Sequence, residues 1–127
     1  MLIAYEVALD LVRALRPVVA QLRSYSAEAA DQVERAASSI VLNLAEGDRR
    51  HGRDPRRFWD MAHGSAGEIR GALDLAEAWG WQVDGAEARR LLDRELGLLW
   101  GLTRRCRSRA APKLAESGPT RDPRGER

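Results

Sequence analysis

Cysteine is nearly absent from this chain. Cys106 stands alone among 127 residues, which excludes an intramolecular disulfide and any zinc site of the CxxC type. A reducing compartment suits such a chain. Aromatic residues make up only 6% and include a single phenylalanine, and strand-forming residues are correspondingly thin. No apolar run approaches the length that a bilayer span requires, and the first residues lack the basic flank and continuous apolar stretch of a signal peptide. A cytoplasmic location is expected.

What is present favours helix. Alanine, leucine, glutamate and arginine are abundant, hydrophobic residues reach 44% and charged residues 31%, a globular rather than disordered balance. The length suits one domain with a core of its own. The net charge of +2 hides an uneven distribution. Residues 1–48 carry 4 basic and 7 acidic groups and residues 58–103 carry 4 and 8, whereas residues 49–57 carry 5 and 1 and residues 104–127 carry 8 and 3. Acidic segments are thus joined and trailed by basic ones.

Four amphipathic helices follow from the spacing of apolar residues. Ala4, Val7, Leu11, Leu15, Val18 and Leu22 fall on one helical face that continues in phase past Pro17, so a kink rather than a stop is expected there. Ser24 or Ser26 is placed to cap a second helix built on Ala30, Val33, Ala37, Ile40 and Leu44, with Gly47 or Gly52 as its stop. Asp54 and Pro55 suit the N-cap and first position of a third, which runs on Phe58, Ala62, Ser65, Ile69, Leu73 and Ala76 to Gly80. Asp84 and Glu87 have the spacing of a capping box ahead of a fourth helix on Ala88, Leu92, Leu99, Leu102 and Cys106, which Pro112 closes. The pattern predicts an all-α, up-and-down four-helix bundle over residues 1–108 and a flexible basic tail over 109–127. Gly64, Gly67 and Gly71 each cost about 1 kcal/mol in a helix, so close approach by the second helix, through Ala36, Ala37, Ser38 and Ser39, is expected to compensate.

Three constellations are candidates for function. On the second helix Gln32, Arg35, Ser39, Asn43 and Glu46 form a polar stripe, and on the third Glu68 is flanked by Gly64 and Gly71. Two readings stand open: a solvated face, or a buried network in which Arg35, Asn43, Glu46 and Glu68 meet at a helix or subunit contact. The second constellation is Arg49, Arg50, Arg53, Arg56 and Arg57, a cationic loop suited either to phosphate or simply to water. No aromatic is interleaved for base stacking, so phosphate contact of low sequence specificity is expected. The third comprises Trp59, Trp79, Trp81 and Trp100, of which at least one of the two beside Gly80 is expected at a subunit interface, with Leu91, Leu98 and Trp100 widening the sticky face of the fourth helix. The di-iron pattern Glu-x-x-His is missing, His51 and His63 do not cluster, and no nucleophile–base pair or phosphate-cradling glycine loop occurs. Neither an enzyme nor a metal or cofactor site is expected.

Two segments go beyond generic helix: Arg35-Ala36-Ala37-Ser38-Ser39-Ile40 with Asn43-Leu44-Ala45-Glu46-Gly47, and Phe58 with Ala62, Gly64, Ser65 and Glu68 followed by an aromatic after Gly80. Together they resemble the bacterial four-helix-bundle family of 23S rRNA intervening-sequence proteins over about residues 2–108, with Val41 where many members carry proline and Leu44 in place of isoleucine. The resemblance implies an up-and-down bundle assembled as a homopentamer and no known enzymatic activity. It also implies kinship with the accessory proteins of diversity-generating retroelements, which bind a reverse transcriptase and nucleic acid. Those accessory proteins are strongly basic, unlike this chain. The expected function is a non-enzymatic oligomeric adaptor that binds RNA or a nucleic-acid-processing partner through the arginine loop. The alternative is a purely structural, protein-recruiting homo-oligomer.

Overall fold

The computed structural model describes residues 2–50 and 53–109, with side chains as far as Arg104. Helix α1 spans Ile3–Arg23, α2 Ala27–Asp48, α3 Arg56–Trp79 and α4 Ala86–Arg109. Each helix packs against its neighbour in the chain, and α4 closes the ring against α1. Short connections between successive helices make the neighbours antiparallel, so the chain folds as the expected up-and-down four-helix bundle. The tail from 110 onward, with Pro112, lies outside the described residues.

The apolar faces read from the sequence form the core. The predicted residues of α1 and α2 are all buried, as are Ala62, Ile69, Leu73 and Ala76 of α3 and Ala88, Leu92, Leu99 and Leu102 of α4. On α3 the buried stripe is rotated slightly from expectation: Trp59 and Ala66 are buried, and Phe58 and Ser65 only half so. Leu91 also enters the core, widening the buried face of α4. Helix α1 continues through Pro17 without a break.

Local signals fix the helix ends, with several departures. Ser26 Oγ accepts the backbone N–H of Ala29 at 3.1 Å and caps α2, while Ser24 Oγ donates to the carbonyl of Gln21 at the end of α1. Gly47 does not stop α2, which runs on to Asp48 and is capped by Arg49 in right-handed conformation. Its bareness serves packing: a Cβ there would come within 2.6 Å of the Trp59 ring. Gly64, Gly67 and Gly71 do the reverse of what was expected, since a Cβ on any of them meets nothing within 4 Å. They lie on exposed flanks of α3, while Ala36 and Ala37 face the core. Gly80 ends α3 in left-handed conformation, φ 79°, where the absent Cβ relieves strain. No capping box forms at α4: the Asp84 N–H donates to Gln21 Oε1 at 2.7 Å, and Glu87 turns to Arg90.

Candidate nucleic-acid interface

The α2–α3 connection follows from its charges and its proline. Arg49 and Arg50 continue past the last turn of α2, and the N–H of Arg53 donates to the Arg50 carbonyl at 3.1 Å. Asp54 accepts the N–H of Arg56 at 2.9 Å, satisfying one of the open donors at the start of α3, although Pro55 rather than Asp54 holds the cap position. His51 and Gly52 lie outside the described residues. The loop therefore presents its arginines from a chain tied to helices on both sides.

These arginines outnumber the acids available to them. Glu46 contacts two: Arg49 at 3.2 Å and Arg50 at 3.3 Å, the latter close in charge but not aligned as a hydrogen bond, since Arg50 Nε is buried without one. Arg56 pairs with Asp54 at 3.1 Å. Arg50 and Arg57 instead flank the ring of Phe58, at 4.8 and 5.7 Å from its centre. Such placement holds a guanidinium without cancelling its charge. Among the described residues, neither Arg53 nor Arg57 has a carboxylate within ion-pairing distance. A depression of about 320 Å³ opens between Glu46, Arg49, Arg50 and Arg53. The five arginines thus come together as one cationic end of the bundle, with charge left over for an anion.

The polar stripe of α2 is only partly joined. Asn43 Nδ2 donates to the carbonyl and the hydroxyl of Ser39, at 2.9 and 3.0 Å, and Ser65 Oγ donates to Ser39 Oγ at 2.9 Å. This Ser39–Asn43–Ser65 node bridges α2 and α3. The four-residue network of Arg35, Asn43, Glu46 and Glu68 does not assemble inside the chain: Glu46 turns to the loop arginines, and Arg35 and Glu68 are exposed. The reason is angular. Ser65 sits at the seam with α2, and Glu68, three residues on, is rotated toward solvent. Ser39 was legible as part of the stripe, and Ser65 as part of the third helix, but their pairing across helices was not.

One charged residue escaped the sequence reading altogether. Glu95 is 0% exposed, and neither carboxylate oxygen has a hydrogen-bond partner. Its burial pushes the carboxyl up to about 8, with the nearby Arg94 charge acting the other way. The side chain is therefore protonated at neutral pH. The signal was a gap: the apolar series of α4 passes from Leu92 to Leu99, and Glu95 occupies the helical position between them. The cross-helix contacts His63–Trp100 and Arg89–Asp74 bracket it along α3.

Among the described residues no group of His, Cys, Asp and Glu side chains is placed to hold a metal ion, and no helix is long and apolar enough to cross a membrane. What the molecule offers is a helical bundle with a cationic end. The chain belongs to the family of 23S rRNA-intervening sequence proteins, whose family model matches residues 1–93. No curated protein and no solved structure matches it.

Proposed function

We propose that this protein is a non-enzymatic, cytoplasmic adaptor that binds RNA, or a partner that processes nucleic acid such as a reverse transcriptase, through Arg49, Arg50, Arg53, Arg56 and Arg57. The observation that carries this is the charge surplus at one end of the bundle, where Arg53 and Arg57 have no carboxylate partner among the described residues and Arg50 and Arg57 rest on Phe58. Guanidinium groups held near one another and left uncompensated release counterions on meeting a chain of phosphates. Assembly as a homopentamer would repeat this end five times and raise the local charge density. A salt titration of binding to a structured RNA tests the reading. Wild-type protein should bind at low salt with an affinity that falls steeply as salt rises, and replacing the five arginines by glutamine should flatten that slope. Absence of binding at low salt, or binding unaltered by the replacement, defeats it.

A second reading, a structural homo-oligomer indifferent to nucleic acid, is favoured by a different feature. Met61, Leu75 and Trp79 are exposed at 45%, 51% and 68% and recur along one outer flank of α3 with Gly64, Glu68 and Gly71. The bare glycines let another backbone approach closely, and Arg35 and Glu68 supply exposed charges of opposite sign that no ion pair among the described residues uses. In this reading the network of Arg35 and Glu68 closes between copies. Light scattering gives the oligomeric state; a monomer at micromolar concentration removes this reading and the multiplied charge of the first.

A further inference from the structure

The five loop arginines offer phosphate contacts but nothing to read or stack a base. Outside the residues matched by the family model, α4 brings a different kind of group toward the same end of the bundle. Trp100 is 50% exposed, the Arg104 guanidinium lies 5.6 Å from its ring centre, and the His63 ring from α3 approaches at 6.5 Å, tilted by 43°. The four indoles of the chain differ in what surrounds them. Trp59 is buried in the core, Trp81 is stacked on Tyr25, and Trp79 is exposed but ends α3 at the opposite end of the bundle from the arginine loop. Among the described residues Trp100 is the tryptophan with a cation over its face.

We infer that Trp100 is a stacking platform for an unpaired base of single-stranded nucleic acid, with Arg104 and His63 as its polar flank; the inference rests on the phosphate-binding role proposed for the arginine loop. An indole offers the largest flat apolar face of any side chain, and any base can lie on it, so the contact is strong and tolerant of sequence. The face that Arg104 covers is the one a base would take. The exposed guanidinium, on a long flexible stem, then moves from the ring to the phosphate of the stacked nucleotide, exchanging one interaction of a cation for a stronger one. A route to the loop is built into α3. Arg56 precedes His63 by seven residues, two helical turns, so both lie on one flank roughly 10 Å apart. A short single strand anchored on Trp100 by a base can therefore reach Arg56 and its neighbours with its phosphates.

The experiment measures fluorescence anisotropy with two labelled single strands of equal length, one carrying bases and one wholly abasic, at low salt, for the wild type, Trp100→Ala, Trp100→Phe and Arg104→Gln. The wild type should prefer the strand with bases by roughly tenfold, the size of one base–aromatic stack. Trp100→Ala should erase that preference and leave abasic binding unaltered, Trp100→Phe should keep most of it, and Arg104→Gln should weaken both strands slightly. Equal wild-type affinity for the two strands overturns the inference even if Trp100→Ala fails to fold, and so does a preference that survives in a folded Trp100→Ala protein. If neither strand binds at low salt, the phosphate-binding reading has failed and the stacking platform falls with it. If both bind equally, the loop reading stands and only the platform is lost.

Discussion

The two ends of the bundle are built on opposite plans. At the end formed by the α1–α2 and α3–α4 turns, Tyr25 stacks on Trp81 with ring centres 5.4 Å apart, the Tyr25 hydroxyl accepts the N–H of Gln82, and Gln21 accepts that of Asp84. The arginines there are matched: Arg23 pairs with Asp31 and Glu34, and Arg89 with Asp74 and Glu77. At the other end the longer α2–α3 connection and the first turn of α3 carry five arginines against few acids, and Trp59 packs closely on Gly47. One end spends its polar groups on holding two turns together. The other keeps its charge unspent, which is a cost to folding and an asset for binding.

The largest effect expected concerns the layer between these ends. An unfolded glutamate ionises near its ordinary value of 4.5, while buried Glu95 holds its proton to about 8. Below both values the acid is neutral in either state and costs no ionisation energy. As pH rises between them the unfolded chain gives up a proton that the folded chain keeps, so stability falls with pH and levels off above about 8. Glu95→Leu should remove this slope and stabilise the bundle at pH 9 by on the order of a few kcal/mol, read from urea unfolding at several pH values. Such a change should affect both ends alike, which separates it from the local variants below.

Next come variants that act on one end. Trp81→Ala should cost roughly 2–3 kcal/mol, from lost stacking and apolar burial, and should loosen the turns at residues 24–26 and 80–85 in hydrogen exchange. Gly47→Ala trades about 1 kcal/mol of helix propensity against overlap with Trp59, a rigid and buried ring, for a net loss of about 1–2 kcal/mol by thermal unfolding. Ser26→Ala should cost about 1 kcal/mol by exposing the open donors of α2. The smallest stability change is expected from neutralising the five loop arginines, less than about 1 kcal/mol, because their ion pairs are largely exposed. If that last variant unfolds the protein, the contrast between a structural end and a binding end is wrong.

Much of this could be read from residues. The apolar positions of α1 and α2 were legible because a strict three-and-four spacing permits one helical face, and Ser26 because an unsatisfied N–H needs a nearby acceptor. Gly47 was one of two possible stops in the sequence, and its packing role was not legible: its neighbour in space, Trp59, is twelve residues away across a loop, and no local rule carries that distance. The same limit hid the Ser39–Ser65 bond. Trp100 looked like one more contributor to a sticky face until α4 placed it beside His63 and gave Arg104 a position over its ring.

The sequence by itself determined that the chain forms four amphipathic helices with an arginine-rich connection, since periodicity and capping act within a few residues. Only the tertiary structure decided which glycine is pressed against an indole, which carboxyl is buried, and which tryptophan stands open beside a cation. Those outcomes depend on the rotation and register of one helix against another, and these are set by the packing of the whole core at once.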